Sequence, residues 1–548
     1  MINNSKLIYL LSFMLLITIS CEDDAGVDCD AAKTTFTAAV NAVGDDGPAD
    51  EAECQGVVDA AGVFLDTGCD TAGTDVGMYN TFNCGCVTLA SAFEEAGNAF
   101  AAGMQSGTGT VEDCQAYVDA MVALVDAGCM SAADLGLDQA QYDEYTSGTF
   151  CTDLYDAGIS TPSTFNFDSR FVDGVSSVSY NGQVVRNLLI NDIKGQFKGG
   201  NGAKVLSMMA NDDATATIIT TAGGSTVQTF YHDISTSHLN DRLEAVSSYV
   251  IPGWDVNAGT LLGNWATELG TLDMDATTNA QGLRLDQLAQ KTLWGAVAYW
   301  QGTSKYMSKI PNDDNTMQDD GDPYTAMEHH WDESFGYFGA ARDYNTGYTD
   351  DNDRKSDPYH DTNGDGSIDF KTEYNIGWAV TAAKRDLVDG VSIDYDFTKT
   401  IFDAYLEGRT LIVNEAPLEE IIVQRDIILN TWEKVVAAVT IHYVNDVAAD
   451  MAALYPADAT AGPSSELSAD LNNHWGEMRG YANGLLYNDF KVISDADLNT
   501  VLTTMGTAPV YPEAGEDAFY TYHGLLLTTV KNTLQAAYDF SDEHMANW

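Results

Sequence analysis

The chain of 548 residues is long enough for two or more domains, and its hydrophobic fraction of 45% is normal for a protein with a buried core. Its 82 Asp and Glu against 25 Lys and Arg give a formal net charge of -57 and a pI near 4.1. Nucleic-acid binding requires basic surface that displaces counterions, so this composition excludes that class of function. The acidic surface indicates either adaptation to salty water or the binding of cations.

The first 21 residues are predicted to be a lipoprotein signal peptide. Lys6 is followed by an apolar run over residues 7–19, which is too short for a permanent membrane helix and typical of a signal peptide. The run ends in Ile-Thr-Ile-Ser-Cys, which resembles a lipobox, so we expect lipidation of Cys21. The alternative is an ordinary signal peptide. The acidic residues 22–24 resemble the export signal of some Gram-negative surface lipoproteins, which predicts an outer-membrane lipid anchor and a protein facing the cell exterior.

Residues 22–155 form a separate block that holds all the remaining cysteines. An acidic residue followed by Cys-Gln opens an apolar pattern of helical period that closes with Gly-Cys, and this arrangement occurs twice. We therefore predict two tandem helical units, residues 29–84 and 86–151, each with two disulfides of undetermined pairing. Zinc sites favour close C-x-x-C pairs, which are absent here. The cysteines are Cys29, Cys54, Cys69, Cys84, Cys86, Cys114, Cys129 and Cys151.

Residues 156–170 contain Gly158, Ser160, Pro162 and Ser163 close together and are predicted to be a linker. The remaining segment, residues 171–548, lacks cysteine and shows long helical patterns. Residues 215–231 are rich in Thr, Ile and Val around a Gly pair, which predicts a hairpin. Helices are predicted over residues 183–196, 283–307, 396–413, 416–454 and 519–540, and after Asp322-Pro323.

The pattern H-W-x-E-x-x-G-Y occurs at residues 330–337 and again at residues 474–481. On a helix, the His and Glu are neighbours, and the Tyr four residues beyond the Glu lies on the same side. Each copy can therefore present an imidazole, a carboxylate and a phenol beside the core stripe that contains its Trp. The repeat predicts a duplicated unit with a site in each half, or one site between them. The candidate ligand or metal residues are His330, Glu333, Tyr337, His474, Glu477 and Tyr481.

A polar segment after the first copy matches the first nine positions of an EF-hand-type loop, D-x-N-x-D-G-x-I-D, at residues 361–369. Position twelve is Thr372, and Glu373 follows one residue late. We expect a structural calcium ion that clips this long loop; the alternative is an Asp- and Gly-rich turn without an ion. The expected ligands are Asp361, Asn363, Asp365, Ser367 and Asp369.

Residues 171–548 resemble a family of exported bacterial lipoproteins that is described as a domain of unknown function and is similar to the imelysins. Imelysin-like proteins are all-α, are built from two helical bundles by duplication, and carry a G-x-H-x-x-E motif. Both copies here match its H-x-x-E part, but Glu328 and Asn472 stand in place of the Gly. The resemblance rests on residues 178–183, 330–339, 361–375, 432–445 and 474–481.

The resemblance implies an all-α fold of duplicated helical bundles after the small disulfide-rich helical domain. It also implies a surface lipoprotein that acts with an outer-membrane receptor in iron or haem acquisition. The favoured function is thus a non-enzymatic binding or accessory protein, with iron, haem or zinc as conceivable cofactors. One alternative is a metal-dependent peptidase, although H-x-x-E lacks the second His of H-E-x-x-H. The other is a structural role, in which each His cross-links helices with Glu as its partner.

Overall fold

The chain divides into a smaller unit, Met1–Ser160, and a larger unit, Thr161–Trp548. The computed structural model describes residues 29–43, 51–66, 83–106, 110–148, 150–151, 159–348, 351–388 and 391–548. The signal peptide and Cys21 lie outside these residues. The described part is predominantly helical, as the sequence predicts. None of its helices combines the length and the apolarity that crossing a membrane requires.

The smaller unit consists of short helices with small cores. Phe36 packs on Phe64 with ring centroids 6.0 Å apart, and Val118 and Met121 belong to a second core. Cores of this size bury little apolar surface, so the unit depends on cross-links. Its described helices are α1 (Cys29–Val43), α2 (Glu51–Asp66), α3 (Gly85–Ser106), α4 (Val111–Asp126) and α5 (Gln139–Tyr145).

Disulfides join these helices, as predicted. The described residues contain the pairs Cys54–Cys84, Cys86–Cys129 and Cys114–Cys151. The first pair lies within the first tandem unit, and the other two lie within the second. The first and third pairs occupy corresponding positions in the two units, which supports the repeat. The Cys29 side chain and Cys69 lie outside the described residues.

The larger unit is formed by helices, with one two-residue strand pair among its described residues. Strands β1 (Ser225–Thr226) and β2 (Ser367–Ile368) are parallel. The helices are α6 (Asn181–Ile193), α7 (Gly202–Ala210), α8 (Asn240–Ala245), α9 (Ala258–Glu268), α10 (Leu285–Leu293), α11 (Ala326–Phe338), α12 (Asp351–Ser356), α13 (Trp378–Arg385), α14 (Phe397–Val413), α15 (Leu418–Ala457), α16 (Ala469–Gly484), α17 (Asp495–Met505), α18 (Glu516–Leu525), α19 (Lys531–Tyr538) and α20 (Asp542–Asn547).

Helix α10 continues through π-helical turns to residue 307, so that residues 285–307 form one long element, here called the shared helix. Its position agrees with the prediction of residues 283–307. It is buried along almost its whole length. Its first half packs against α16 and its second half against α11. The two copies of the repeated phrase therefore contact opposite halves of the same helix.

Glycines allow close helix crossings around the shared helix. A Cβ atom on Gly295 would lie 2.5 Å from the Cα atom of Gly484, and one on Gly302 would lie 2.6 Å from the Trp432 ring on α15. Gly336 of the first phrase is similarly covered by the start of α6. These contacts leave no room for a methyl group, because interiors are close-packed.

Two local predictions are corrected. Helix α11 begins at Ala326 rather than at Pro323, because the Thr325 hydroxyl accepts the Glu328 N–H (3.2 Å) while the Glu328 carboxylate accepts the Thr325 N–H (2.7 Å). The hairpin over residues 215–231 is reduced to a single antiparallel bridge between Thr217 and Phe230. Part of that segment instead pairs with β2 as β1.

A buried ion cluster connects α11 and α14. The fully buried guanidinium of Arg409 donates to Glu328 (2.9 Å), to Asp332 (2.9 Å) and to the Ser177 hydroxyl (2.7 Å). Burial raises the pKa of Asp332 to about 7, although Arg409 opposes this shift. The cluster thus stabilises the helix that carries the first phrase, since removing one member leaves an unpaired buried charge.

We predict that Gly295→Ala lowers the free energy of unfolding of the larger unit by about 1–3 kcal/mol, because the new methyl group meets backbone rather than a movable side chain. Gly263→Ala on α9 is the matched control. It has no atom within 4 Å of the added Cβ, and we expect it to stabilise by about 0.5–1 kcal/mol. Chemical denaturation measures both. Equal effects would contradict the close crossing.

Candidate ligand site at the repeated His–Glu–Tyr clusters

The first phrase lies on α11, and both ring nitrogens of His330 are engaged. Its Nδ1 lies 2.7 Å from Asp313 Oδ2, and its Nε2 lies 2.7 Å from the Lys309 Nζ. Because ammonium is a donor only, Nε2 accepts from Lys309 and Nδ1–H donates to Asp313. The side chain is 17% exposed. His330 therefore has no free lone pair in this arrangement.

Glu333 and Tyr337 have partners on other helices. Gln183 Nε2 donates to Glu333 Oε1 (2.6 Å), and Arg186 donates to the Tyr337 hydroxyl (3.2 Å). The His ring nearest to Glu333 is that of His329, 3.9 Å away, and not that of His330. The structural hypothesis expects each His to pair with the Glu of its own phrase. In the first phrase His330 pairs instead with Asp313 and Lys309.

The second phrase lies on α16, and its histidine is more open. His474 Nδ1 lies 2.8 Å from Asp450 Oδ2, and this hydrogen bond raises the pKa of His474. Within the described part of the chain, His474 Nε2 has no hydrogen-bond partner. The side chain is 29% exposed. An imidazole held through Nδ1 by a carboxylate, with Nε2 free, is the orientation typical of a metal-binding histidine.

Glu477 and Tyr481 again have partners on other elements. The Tyr443 hydroxyl donates to Glu477 Oε1 (3.0 Å), and Lys291 Nζ lies 3.7 Å from the same oxygen. Asn473 donates to the other carboxylate oxygen (3.0 Å). Lys291 also lies 5.5 Å from the centre of the Tyr481 ring. The Glu477 carboxylate thus accepts from the neutral groups of Tyr443 and Asn473 and lies close to the cationic Lys291.

The two clusters share their ring contacts and their Asp contacts. In the first, the Tyr306 ring lies 5.8 Å from the His330 ring and 6.1 Å from the Tyr337 ring. In the second, the Tyr443 ring lies 6.1 Å from the ring of His474 and 5.8 Å from that of Tyr481. Each His Nδ1 also faces an Asp. Here "first cluster" and "second cluster" denote these His–Glu–Tyr groups with their ring and Asp partners.

The clusters are not joined into one site. Residues 291 and 306 lie on opposite halves of the shared helix, about 20 Å apart at ~1.5 Å per residue. His330, Glu333, His474 and Glu477 therefore do not surround one position. Within the described residues, no group of three or more His, Cys, Asp or Glu side chains stands close enough to hold a metal ion. Tyr337 is fully buried and Tyr481 nearly so, and both lie in the core rather than on its flank.

Cations gather at both clusters. Burial and the neighbouring Arg242 lower the pKa of Lys305 to about 8, with Glu333 opposing them. Burial also lowers the pKa of Lys291 and of Arg385, and Arg385 lies beside Tyr443 and Tyr481. Carboxylates accompany these cations, Asp313 and Glu333 in the first cluster and Asp450 and Glu477 in the second, so each cluster contains charges of both signs.

Comparison with known proteins gives one family. A family model described as a domain of unknown function (DUF4856) matches residues 162–465, more than half of the chain. The chain belongs to this family. No curated protein and no solved structure matches it. The DUF4856 match includes the first phrase and the predicted calcium loop, and it ends before the second phrase.

In the predicted calcium loop of this DUF4856 domain, side-chain oxygens of the loop accept hydrogen bonds from backbone N–H groups of the same loop. Asp361 Oδ1 accepts the Gly364 N–H (2.8 Å), and Asp361 Oδ2 accepts the Gly366 N–H (2.9 Å). Asn363 Oδ1 accepts the Asp365 N–H (2.8 Å). Both glycines have positive φ, +72° and +85°, which only glycine adopts readily.

Glu373, outside the expected ligand set, anchors the loop. Its carboxylate accepts the N–H groups of Thr362 (3.2 Å) and Asp369 (2.8 Å), and the residue is 2% exposed. Its late position in the sequence therefore places it against the backbone at both ends of the loop.

Sequence reasoning missed the partners of the repeated residues. Asp313 precedes His330 by 17 residues, and Asp450 precedes His474 by 24. The one available signal was the spacing of His442, Asp446 and Asp450 by fours on a predicted helix, which places them on one face. It indicated a polar stripe but not what the stripe faces.

We predict that Asp450→Asn lowers the pKa of His474, because the hydrogen bond to Asp450 is the main cause of its raised value. Asp446→Asn is the control and should produce a smaller shift. NMR titration of the His474 ring checks both. A raised folded pKa stabilises most below the unfolded value of about 6.5 and is lost as pH rises through the folded value. Asp450→Asn should therefore destabilise more at pH 5.5 than at pH 9.

Proposed function

We propose that the protein is a non-enzymatic, lipid-anchored surface protein that binds an iron compound, haem or an anionic ferric chelate, at the second cluster. The observation that carries the proposal is the free Nε2 of His474, with Nδ1 oriented by Asp450. The basic Arg385 near Tyr443 suits the carboxylates of such a ligand. An outer-membrane receptor would be the partner that passes the iron compound on.

The likeness to imelysins supports an iron role, and the chain's departures from the imelysin motif bear on where that role lies. Glu328, in place of the first Gly, caps α11 and pairs with Arg409. Asn472, in place of the second, donates to the Pro463 carbonyl (3.0 Å) and accepts from the Tyr511 hydroxyl (2.5 Å). Both residues are buried and engaged, so neither is offered to a ligand.

The first cluster has a different role in this proposal. With Lys309 on Nε2 and Asp313 on Nδ1, His330 links α11 to the end of the shared helix and the loop beyond it. A metal would have to displace the ammonium. We assign the first cluster a structural role and the second a ligand-binding role.

We predict that the membrane fraction of cells producing the protein binds haemin with a shifted Soret band, or retains iron from ferric citrate. His474→Ala should weaken this binding by at least about tenfold, since it removes the only open imidazole of the pair. His330→Ala is the matched control and should leave binding unchanged while lowering the melting temperature. Cys21→Ala should move the binding to the soluble fraction.

Haemin tests the porphyrin form by absorbance, and ferric citrate tests the chelate form by metal analysis. Binding of neither by the wild-type protein contradicts the proposed function. Binding that His474→Ala leaves intact contradicts the proposed site. Retention of the Cys21→Ala protein on membranes contradicts the anchor.

We also propose calcium as a structural ion in the loop of residues 361–369. The hydrogen bonds within the loop engage only part of the lone pairs of Asp361 and Asn363, so oxygens remain for a cation. Asp361, Asn363, Asp365 and the Ser367 carbonyl would hold it, with Asp369 at the ninth position.

EDTA is accordingly expected to lower the melting temperature of the wild-type protein by several degrees, and added calcium to restore it. The double substitution of Asp361 and Asp365 by Ala should melt at the lower temperature with or without EDTA. Differential scanning calorimetry measures both. An EDTA effect that persists in the double variant would place the ion elsewhere.

A further inference from the structure

A cavity of about 510 Å³ lies between the end of α6, the loop at residues 219–221 and the start of α10. Its size is in the range of small-molecule sites. Hydroxyl and amide groups from several elements line it, together with one aromatic ring and one ammonium group. These groups are Thr221, Thr277, Asn191, Gln196, Tyr374 and Lys194.

The two carboxylates of the cavity wall are already engaged. Asp192 accepts the N–H groups of Ile219 (3.0 Å) and Thr220 (3.2 Å) and the Tyr231 hydroxyl (2.6 Å). Asp286 is held by the two-pronged donation of Arg284, at 2.9 and 2.7 Å. Asp192 is thus held by the loop, while the charge of Asp286 still favours the protonated form of Lys194.

Lys194 is the group that stands out. It lines the cavity, and among the described residues its ammonium makes no hydrogen bond and no ion pair within 4 Å. It is half-buried, and burial together with the nearby Lys291 lowers its pKa to about 8, although Glu477 and Asp286 oppose this shift. A partly desolvated ammonium with no carboxylate in direct contact is unfavourable, and an anion in the cavity would relieve that cost.

The other free groups define the rest of the ligand. The Thr221 and Thr277 hydroxyls have no partner among the described residues, and the Gln196 amide uses only its oxygen, which accepts from Asn201. Tyr374 and Ile219 add apolar surface, while the Tyr374 hydroxyl is fixed on the Thr221 carbonyl (3.1 Å). The hydroxyl and amide donors line the cavity together with the Tyr374 ring, and this arrangement suits a ligand with a polyhydroxylated ring. The single ammonium group suits a ligand with a single negative charge.

We propose that this cavity binds a small hydroxylated monocarboxylate of the acidic-sugar type. Its carboxylate pairs with Lys194, its hydroxyls meet Thr221, Thr277 and the Gln196 amide, and its ring lies against Tyr374. The site is distinct from the iron site proposed above, because neither His474 nor Glu477 lines the cavity.

The test is isothermal titration calorimetry of the mature full-length protein with glucuronate. Glucose, acetate and glucose 6-phosphate separate the hydroxyl, carboxylate and phosphate contributions. We expect glucuronate to bind at one site and both glucose and acetate to bind at least about tenfold more weakly. Lys194→Gln should weaken glucuronate binding at least about tenfold, and Lys194→Arg less. Lys204→Gln, at an exposed lysine of α7, is the control and should change nothing.

Thr277→Val provides a second variant that leaves the charge in place, and it should weaken glucuronate but not acetate. Failure of glucuronate to bind, or equal binding to wild-type and Lys194→Gln proteins, overturns the proposal. Tighter binding of glucose 6-phosphate than of glucuronate overturns the choice of a carboxylate. His474→Ala should bind glucuronate normally, so failure of the haemin experiment and failure of this one are distinguishable.

Discussion

The contact between the shared helix and α16 at Gly295 and Gly484 is the constraint on which the larger unit depends. With no side chain at either position, the two backbones meet directly. Gly302, seven residues later on the shared helix, is also at a close crossing, because the Trp432 ring of α15 packs directly on it. Each cluster takes one of its walls from the shared helix, Tyr306 for the first and Lys291 for the second. A displacement of this one helix would therefore alter both clusters at once.

The two clusters share a common arrangement but differ at the Nε2 atom of the histidine. Both keep a Tyr ring against the His and the phrase Tyr, and both keep an Asp on Nδ1. Only the first has an ammonium group on Nε2. That contact occupies the lone pair a ligand would need, and it leaves His474 as the histidine of the pair that can accept one. The two clusters thus share a framework, but among the described residues only the second leaves the imidazole Nε2 without a partner.

The cations of the larger unit also differ in whether they have a direct acidic partner. Arg409 is fully buried, and three oxygen acceptors surround it, so that it connects helices although burial of the cluster raises the pKa of Asp332. Lys305 and Lys194 have lowered pKa values because neighbouring cations add to the effect of burial. Arg409 is thus paired and connects helices, whereas Lys194 lines the cavity in which we propose an anion. The smaller unit has a different basis, since its small cores rely on disulfides.

The sequence by itself determined the helical class, the tandem cysteine units, the place of the shared helix and the existence of two equivalent phrases. Periodicity and spacing carry that information, because neighbours on a helix are three or four residues apart. Only the tertiary structure decided what the phrases do. Lys309 and Asp313 reach His330 from another element, and Asp450 reaches His474 from α15. Contacts of this kind depend on how helices cross, and the crossings depend on glycines whose partners lie far away in the chain. Local pattern therefore located the two histidines, while packing determined that one is closed and the other open.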